Sequence, residues 1–333
     1  AVLDPRNVLT LQQLALSYEQ LRRYAEEKST FERILAFEPN DPITKSLHAF
    51  VELDSRADTR PLHEVIDSIR DKNPAALSSV ADNWLLCAFA QRDPAAATKA
   101  LIALGENPTS LGPVVDVRFN RAFMEGVIAT LRKDDAKLRS AFIAARAEQE
   151  KTVQAQPNYA PASCVLGLID AGLGHKEEAL RDGRRAVELC PIEKDAVLGV
   201  AMVKYLAMIA AWAGEKDLAC EQLAIATLKP GDLSYGQLKL MPFWDPLRGD
   251  PRFEKIVASL APKDEETTQT AGVSQNEAGG RRAKWTGSPK GEIAAASESN
   301  ALQFAAATSR SARHSSTPDR RSVSRDRAGA QQR

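Results

Sequence analysis

The chain has 333 residues, with 44 lysines and arginines against 44 aspartates and glutamates, so no net field steers it toward nucleic acid or anionic membrane. Hydrophobic residues make up 44% and aromatics only 6%, with alanine and leucine supplying most of the apolar mass, which predicts closely packed helices and an all-α fold. Cys87, Cys164, Cys190 and Cys220 form no C-x-x-C pair, which points to neither a zinc site nor a disulfide framework and makes a reducing, cytoplasmic setting the expectation.

The segments Ala1-Val2-Leu3-Asp4-Pro5-Arg6-Asn7 and Ala36-Phe37-Glu38-Pro39-Asn40 are degenerate copies, and their prolines stand 34 residues apart. That period belongs to stacked helical hairpins. A helix-closing signal at the start predicts that its partner helix, and upstream domains with it, precede residue 1. Residues 1–41 thus read as the end of one repeat followed by a full one. In that repeat Leu11, Leu14, Ala15 and Tyr18 mark one helix face, while Tyr24, Phe31 and Ile34 mark the next. Glu27 occupies the closest approach of the two helices, where a small residue is expected.

Residues 42–113 read as irregular hairpins. Helices are expected over 42–57, 61–72, 74–91 and 94–104, each led by a proline, three of them behind Asp41, Asn73 or Asp93 as N-cap. Turn formers over 105–113 connect them to regular units over 114–231. There Phe123, Gly126, Ile128, Leu138, Phe142 and Ala145 follow one helix-turn-helix template, whose second helix runs long, through Gln154. Residues 160–191 repeat it with Leu166-Gly167, a turn at Gly174, then Ala179 and Ala186 before Cys190-Pro191. The next unit carries Leu206-Ala207, Gly214, Ala219, Leu223 and Ala226. The most apolar stretch, 197–212, is interrupted by Lys204 and falls short of the roughly 18 residues of a membrane helix.

Residues 232–263 read as a helical cap. Asp245-Pro246 and Asp250-Pro251 predict two successive helix starts, and Phe243, Trp244, Leu247 and Phe253 are expected to cover the open end of the stack. From Asp264 to Arg333 the composition turns to serine, alanine, glycine and arginine, which predicts a disordered Ser/Arg-rich tail.

The units at 1–41 and 160–191, and the next one marked by Leu206-Ala207, Gly214, Ala219 and Lys229-Pro230, resemble tetratricopeptide repeats, and the resemblance covers Ala1 to Lys263. It implies a tetratricopeptide-like α-α superhelix, a solenoid of helical hairpins, whose concave groove takes a protein or peptide partner. Gln12, Leu16, Glu19, Asn120, Phe123, Val127, Lys204, Met208 and Trp212 are the outward residues of first helices expected to line that groove, with Trp212 the leading anchor candidate. Only Asn120 and Lys204 resemble the groups with which some family members grip C-terminal carboxylates, so that ligand class is disfavoured. The closing run Phe243-Trp244-Asp245-Pro246-Leu247-Arg248-Gly249-Asp250-Pro251-Arg252-Phe253 is similar to the end of tetratricopeptide regions in large bacterial signalling proteins. That similarity implies a regulatory segment of a protein whose amino end carries a serine/threonine kinase, a nucleotide cyclase or a DNA-binding domain.

No phosphate-binding glycine loop occurs, and Gly279-Gly280-Arg281-Arg282 lies in the tail with no strand before it. His48, His63, His175 and His314 show no metal or triad spacing in sequence, and His175 reads as a solvated turn residue. Asp134-Asp135 and Glu177-Glu178 open second helices, where the helix dipole accounts for them. The expectation is a non-catalytic scaffold without cofactor, metal or small-molecule substrate. An enzyme head upstream is the first alternative. Nucleic-acid binding through the arginine-rich tail is the second, and is not favoured over a solubilising tail.

Overall fold

The computed structural model describes residues 6–112, 117–231 and 233–262. The expected tail lies outside them. The described residues contain fourteen α-helices and two 3-10 turns, and their β-structure is limited to an isolated bridge between Thr109 and Phe119. The fold is all-α, a run of tetratricopeptide-like helical hairpins in which helices through α12 pack on their neighbours in sequence.

The hairpins pair α1 (Val8–Gln20) with α2 (Tyr24–Leu35), α3 (Pro42–Arg56) with α4 (Arg60–Lys72), and α5 (Ala81–Ala90) with α6 (Pro94–Leu104). They continue with α7 (Arg121–Arg132) and α8 (Asp135–Ala155), α9 (Ala160–Leu173) and α10 (Lys176–Leu189), then α11 (Leu198–Trp212) and α12 (Lys216–Thr227). Asp41 and Asp93 cap α3 and α6, accepting from Thr44 N and from Ala95 N and Ala96 N. Asn73 does not act as a cap. Its side chain accepts no backbone bond, because Pro74 opens a 3-10 turn over Pro74–Val80 and α5 starts only at Ala81.

Small residues set the hairpin spacing. A Cβ on Gly167 would lie 2.9 Å from the Ala179 carbonyl oxygen, so α9 and α10 approach with backbone nearly in contact. Gly174 and Gly214 end α9 and α11 at φ of 82° and 81°, a conformation in which glycine has no Cβ penalty. All four cysteines are buried and unpaired. Burial pushes the Cys87 thiol up to about 12, with the charge of Asp67 adding to it, and pushes Cys164 up as well, so neither supplies a thiolate at neutral pH.

Apolar burial divides into two cores. A small one joins Leu11, Ala15, Phe31, Ile34 and Val51, while a large one runs from Ala49 to Val257. Between the first hairpin and the rest lies a polar seam in which Glu19, Gln20, Glu27 and Asp54 are buried with Ser234 and Gln237. The last two belong to the C-terminal segment, which has folded back across the molecule.

That segment is the main departure from the sequence expectation. Residues 229–231 and 233–248 do not close the open end of the stack; they cross the C-terminal ends of the first helices. Gly231 N donates to the Gln20 carbonyl (2.8 Å), and the Arg22 guanidinium donates to the carbonyls of Leu233 (2.9 Å) and Lys229 (3.2 Å). Helix α13 (Tyr235–Leu240) docks on α3, and the 3-10 turn Pro242–Leu247 docks on α11. Asp245-Pro246 is therefore no helix start, since Pro246 sits inside that turn. Asp250 does cap α14 (Pro251–Ser259), which covers the last hairpin at α12.

Candidate functional site

The first helices of the hairpins, from which the sequence expects a groove, meet other parts of the same chain over much of their surface. Phe123 of α7 stacks with Trp212 of α11 (centroids 6.3 Å, interplanar 4°), and Phe119 meets Tyr205 at 5.9 Å. Phe243 adds a third layer, stacking on Trp212 at 6.3 Å and meeting Phe89 of α5 edge-on at 5.8 Å. Trp212 Nε1 donates to the Phe243 carbonyl at 2.8 Å, which satisfies a polar backbone group carried into an apolar interior. Phe243, Trp244 and Leu247 are all buried, and each contributes about 1.5–3 kcal/mol of apolar transfer. Arg92 clamps the turn from outside through two bonds to Asp245 (2.7 and 2.6 Å).

The residues expected to line an open groove take different places. Phe123 and Met208 are buried in the large core, and Val127 lies beside them. Lys204 is 2% exposed, with its ammonium 4.4 Å from the Tyr205 ring centroid. Trp212 is half-buried and committed to Phe123 and Phe243. Asn120 caps α7 by accepting from Phe123 N, while its amide donates to Glu148 Oε2 at 3.0 Å. Gln12 donates to Thr44 Oγ1 at 3.0 Å across the α1–α3 contact, and Glu19 is buried in the polar seam. As an exposed groove the set is corrected: Phe123, Lys204, Met208 and Trp212 converge on the interior, while Gln12, Glu19 and Asn120 lie elsewhere. The reason is that α11 is apolar nearly all round and so has no water-facing stripe.

Two buried polar groups were not legible as pairs in the sequence. Asp170, fully buried on α9, accepts from Arg146 Nε at 2.6 Å and lies 3.0 Å from His175 Nδ1. His175 thus has a carboxylate partner that its turn position concealed. The second group is Glu27, 3% exposed on α2, whose Oε2 receives no hydrogen bond among the described residues. Burial first, then the charge of Asp54, pushes its carboxyl up to about 9, so it holds its proton at neutral pH. Glutamate in place of a small residue was the visible signal. Among the described residues no cluster of three His, Cys, Asp or Glu side chains could hold a metal ion, and no helix is long and apolar enough to cross a membrane.

No family model matches the chain, and no curated protein matches it. Two solved structures are similar to it. PilW, a widely conserved type IV pilus biogenesis factor, aligns with a TM-score of 0.38 and 16% identity over 67% of this chain and 94% of its own. TTC0263, a thermophilic TPR protein from Thermus thermophilus, aligns with a TM-score of 0.29 and 18% identity over 76% of this chain and 97% of its own.

Proposed function

We propose that this chain is a non-catalytic protein-interaction scaffold whose concave face takes a protein or peptide partner in the cytoplasm. The observation that supports this reading is the seating of residues 241–247 against α5 and α11. A short irregular peptide is held by two aromatic contacts, a side-chain bond to its backbone at Phe243 and a bidentate arginine clamp at Asp245. A face that accommodates such a segment of its own chain has the chemistry to accommodate one from another. The cavity lined by residues of α1, α2, α3 and α5 is where a partner is proposed to reach.

The finer setting follows the sequence resemblance. We place the chain in a regulatory segment of a larger bacterial signalling protein with a kinase or cyclase head, a reading supported by the run from Phe243 to Phe253. Kinase or cyclase motifs in the gene upstream of Ala1 support it; an open reading frame that begins within one or two repeats of Ala1 removes it.

The scaffold reading is tested with photo-crosslinking amino acids placed at Asn83, which lines the cavity between α1, α2, α3 and α5, and at Ile143, exposed on α8. The expected outcome is a partner crosslinked from Asn83 and absent from Ile143. Equal crosslinking from both positions, or from Ile143 alone, contradicts it.

A further inference from the structure

A cavity of about 200 Å³ opens between α1, α2, α3 and α5, beside the polar seam. Glu19 and Glu27 line it together with Asp82 and Asn83 of α5, where Asp82 also accepts from Thr109 Oγ1, and Ser79, Ser110 and Gly112 border the same space. Leu47, Phe50 and Leu86 supply an apolar wall along the same space. One cation, Arg118, stands at the edge and is exposed to solvent. Carboxyl groups beside the apolar side chains of Leu47, Phe50 and Leu86 match a charged head on a methylene stem, which is the shape of lysine and arginine side chains.

Glu27 is the group that distinguishes this cavity from an ordinary acidic patch. It lines the cavity, it is buried, and its Oε2 has no donor among the described residues. Buried polar atoms in native proteins are nearly always paired, so a lone carboxyl oxygen in a cavity wall points to a donor that arrives from outside. We infer that this cavity binds a lysine or arginine side chain of a protein partner, with Glu27 as the counter-charge. The inference rests on the scaffold reading above and specifies the partner's chemistry.

A thermodynamic signature follows. In the free protein the Glu27 carboxyl is neutral, held so by burial and by Asp54, with Glu19, Asp82, Arg22 and Arg118 as the other charged groups around the seam and cavity and the buried Tyr24 phenol as a titratable neighbour. An ammonium or guanidinium placed against it favours the carboxylate, so binding releases the Glu27 proton to solvent near neutral pH. Glu27→Gln imitates the neutral form and so leaves the fold intact while removing the charge.

The test titrates the full chain with blocked pentapeptides, Ac-Ala-Ala-X-Ala-Ala-NH2, where X is lysine, arginine or norleucine, and with n-butylammonium as a free amine. Methyl signals of Leu47 and Leu86 are followed by NMR, and proton release by calorimetry in buffers of different ionisation enthalpy. The lysine and arginine peptides are expected to shift both methyl signals with proton release, norleucine to shift neither, and Glu27→Gln to weaken binding roughly tenfold and abolish the release. Equal shifts from norleucine, undiminished affinity in a Glu27→Gln protein of unchanged melting behaviour, or no shifts at all would overturn the assignment. Equal affinity for n-butylammonium and the lysine peptide overturns the peptide source. A partner that still crosslinks from Asn83 in the Glu27→Gln protein leaves the scaffold reading standing while this cavity loses its role.

Discussion

Gly236 is the position at which the C-terminal segment can be lifted off α3 with one methyl group. It lies in the first turn of α13, where a Cβ would overlap the carbonyl oxygen of Leu53 and lie 3.2 Å from Cα of Asp54. Both are backbone atoms of α3, so no rotamer change relieves the overlap. Gly236→Ala therefore forces α13 away from α3 at about 1–3 kcal/mol, the usual cost of inserting volume into a packed interface. The same movement strains the bonds from Ser234 Oγ (2.6 Å) and Gln237 Nε2 (3.4 Å) to Asp54 Oδ1. Since 1.4 kcal/mol is tenfold, local opening becomes about 5 to 150 times more frequent. Hydrogen-exchange mass spectrometry reads this as faster exchange in peptides covering 229–248, with α9 and α10 unchanged. Unaltered exchange in α13, or acceleration spread evenly over all helices, would refute the docking of α13 on α3 through this glycine.

Other perturbations probe separate parts of the molecule. Trp212→Phe keeps the aromatic stack and removes the bond to the Phe243 carbonyl, and urea denaturation should show a loss of roughly 1–2 kcal/mol from the acceptor left buried. Arg146→Ala strips fully buried Asp170 of its guanidinium partner and should cost roughly 3–5 kcal/mol in the same assay. Glu27 gives stability a pH dependence of defined sign. Its folded-state value of about 9 lies above that of an unfolded glutamate, so its contribution is complete below about pH 4 and is lost as pH rises toward 9. Melting temperatures measured across that window should therefore fall less steeply for Glu27→Gln than for the parent chain. Parallel profiles would show that Glu27 keeps no proton in the fold.

The hairpins were legible because each carries its own local signals. Apolar spacing fixed the helix faces, Gly174 and Gly214 marked the turns, and Asp41 and Asp93 marked starts by chemistry that acts within three residues. What local signals cannot give is which residues cover a face. Phe243, Trp244 and Leu247 announce burial in sequence, but nothing adjacent to them says that Phe89 and Trp212 are the partners. For the groove residues the missed signal was present: 197–212 is apolar on every side, which marks a buried helix even when one lysine interrupts it. Glu27 was visible as an odd residue at a close-packed position; its pairing with Asp54 and its place in a cavity depend on α3 and α5, which local sequence does not reach.

The central claim is that the chain's own C-terminal segment packs across the C-terminal ends of α1, α3, α5 and α11, and the contact between Phe89 and Phe243 tests it most directly. With both rings selectively labelled, NMR should show strong nuclear Overhauser cross-peaks between them, as their 5.8 Å centroid separation requires, together with cross-peaks from Phe243 to Trp212. Absence of both sets, with the Trp244 indole in fast exchange with solvent, would contradict it.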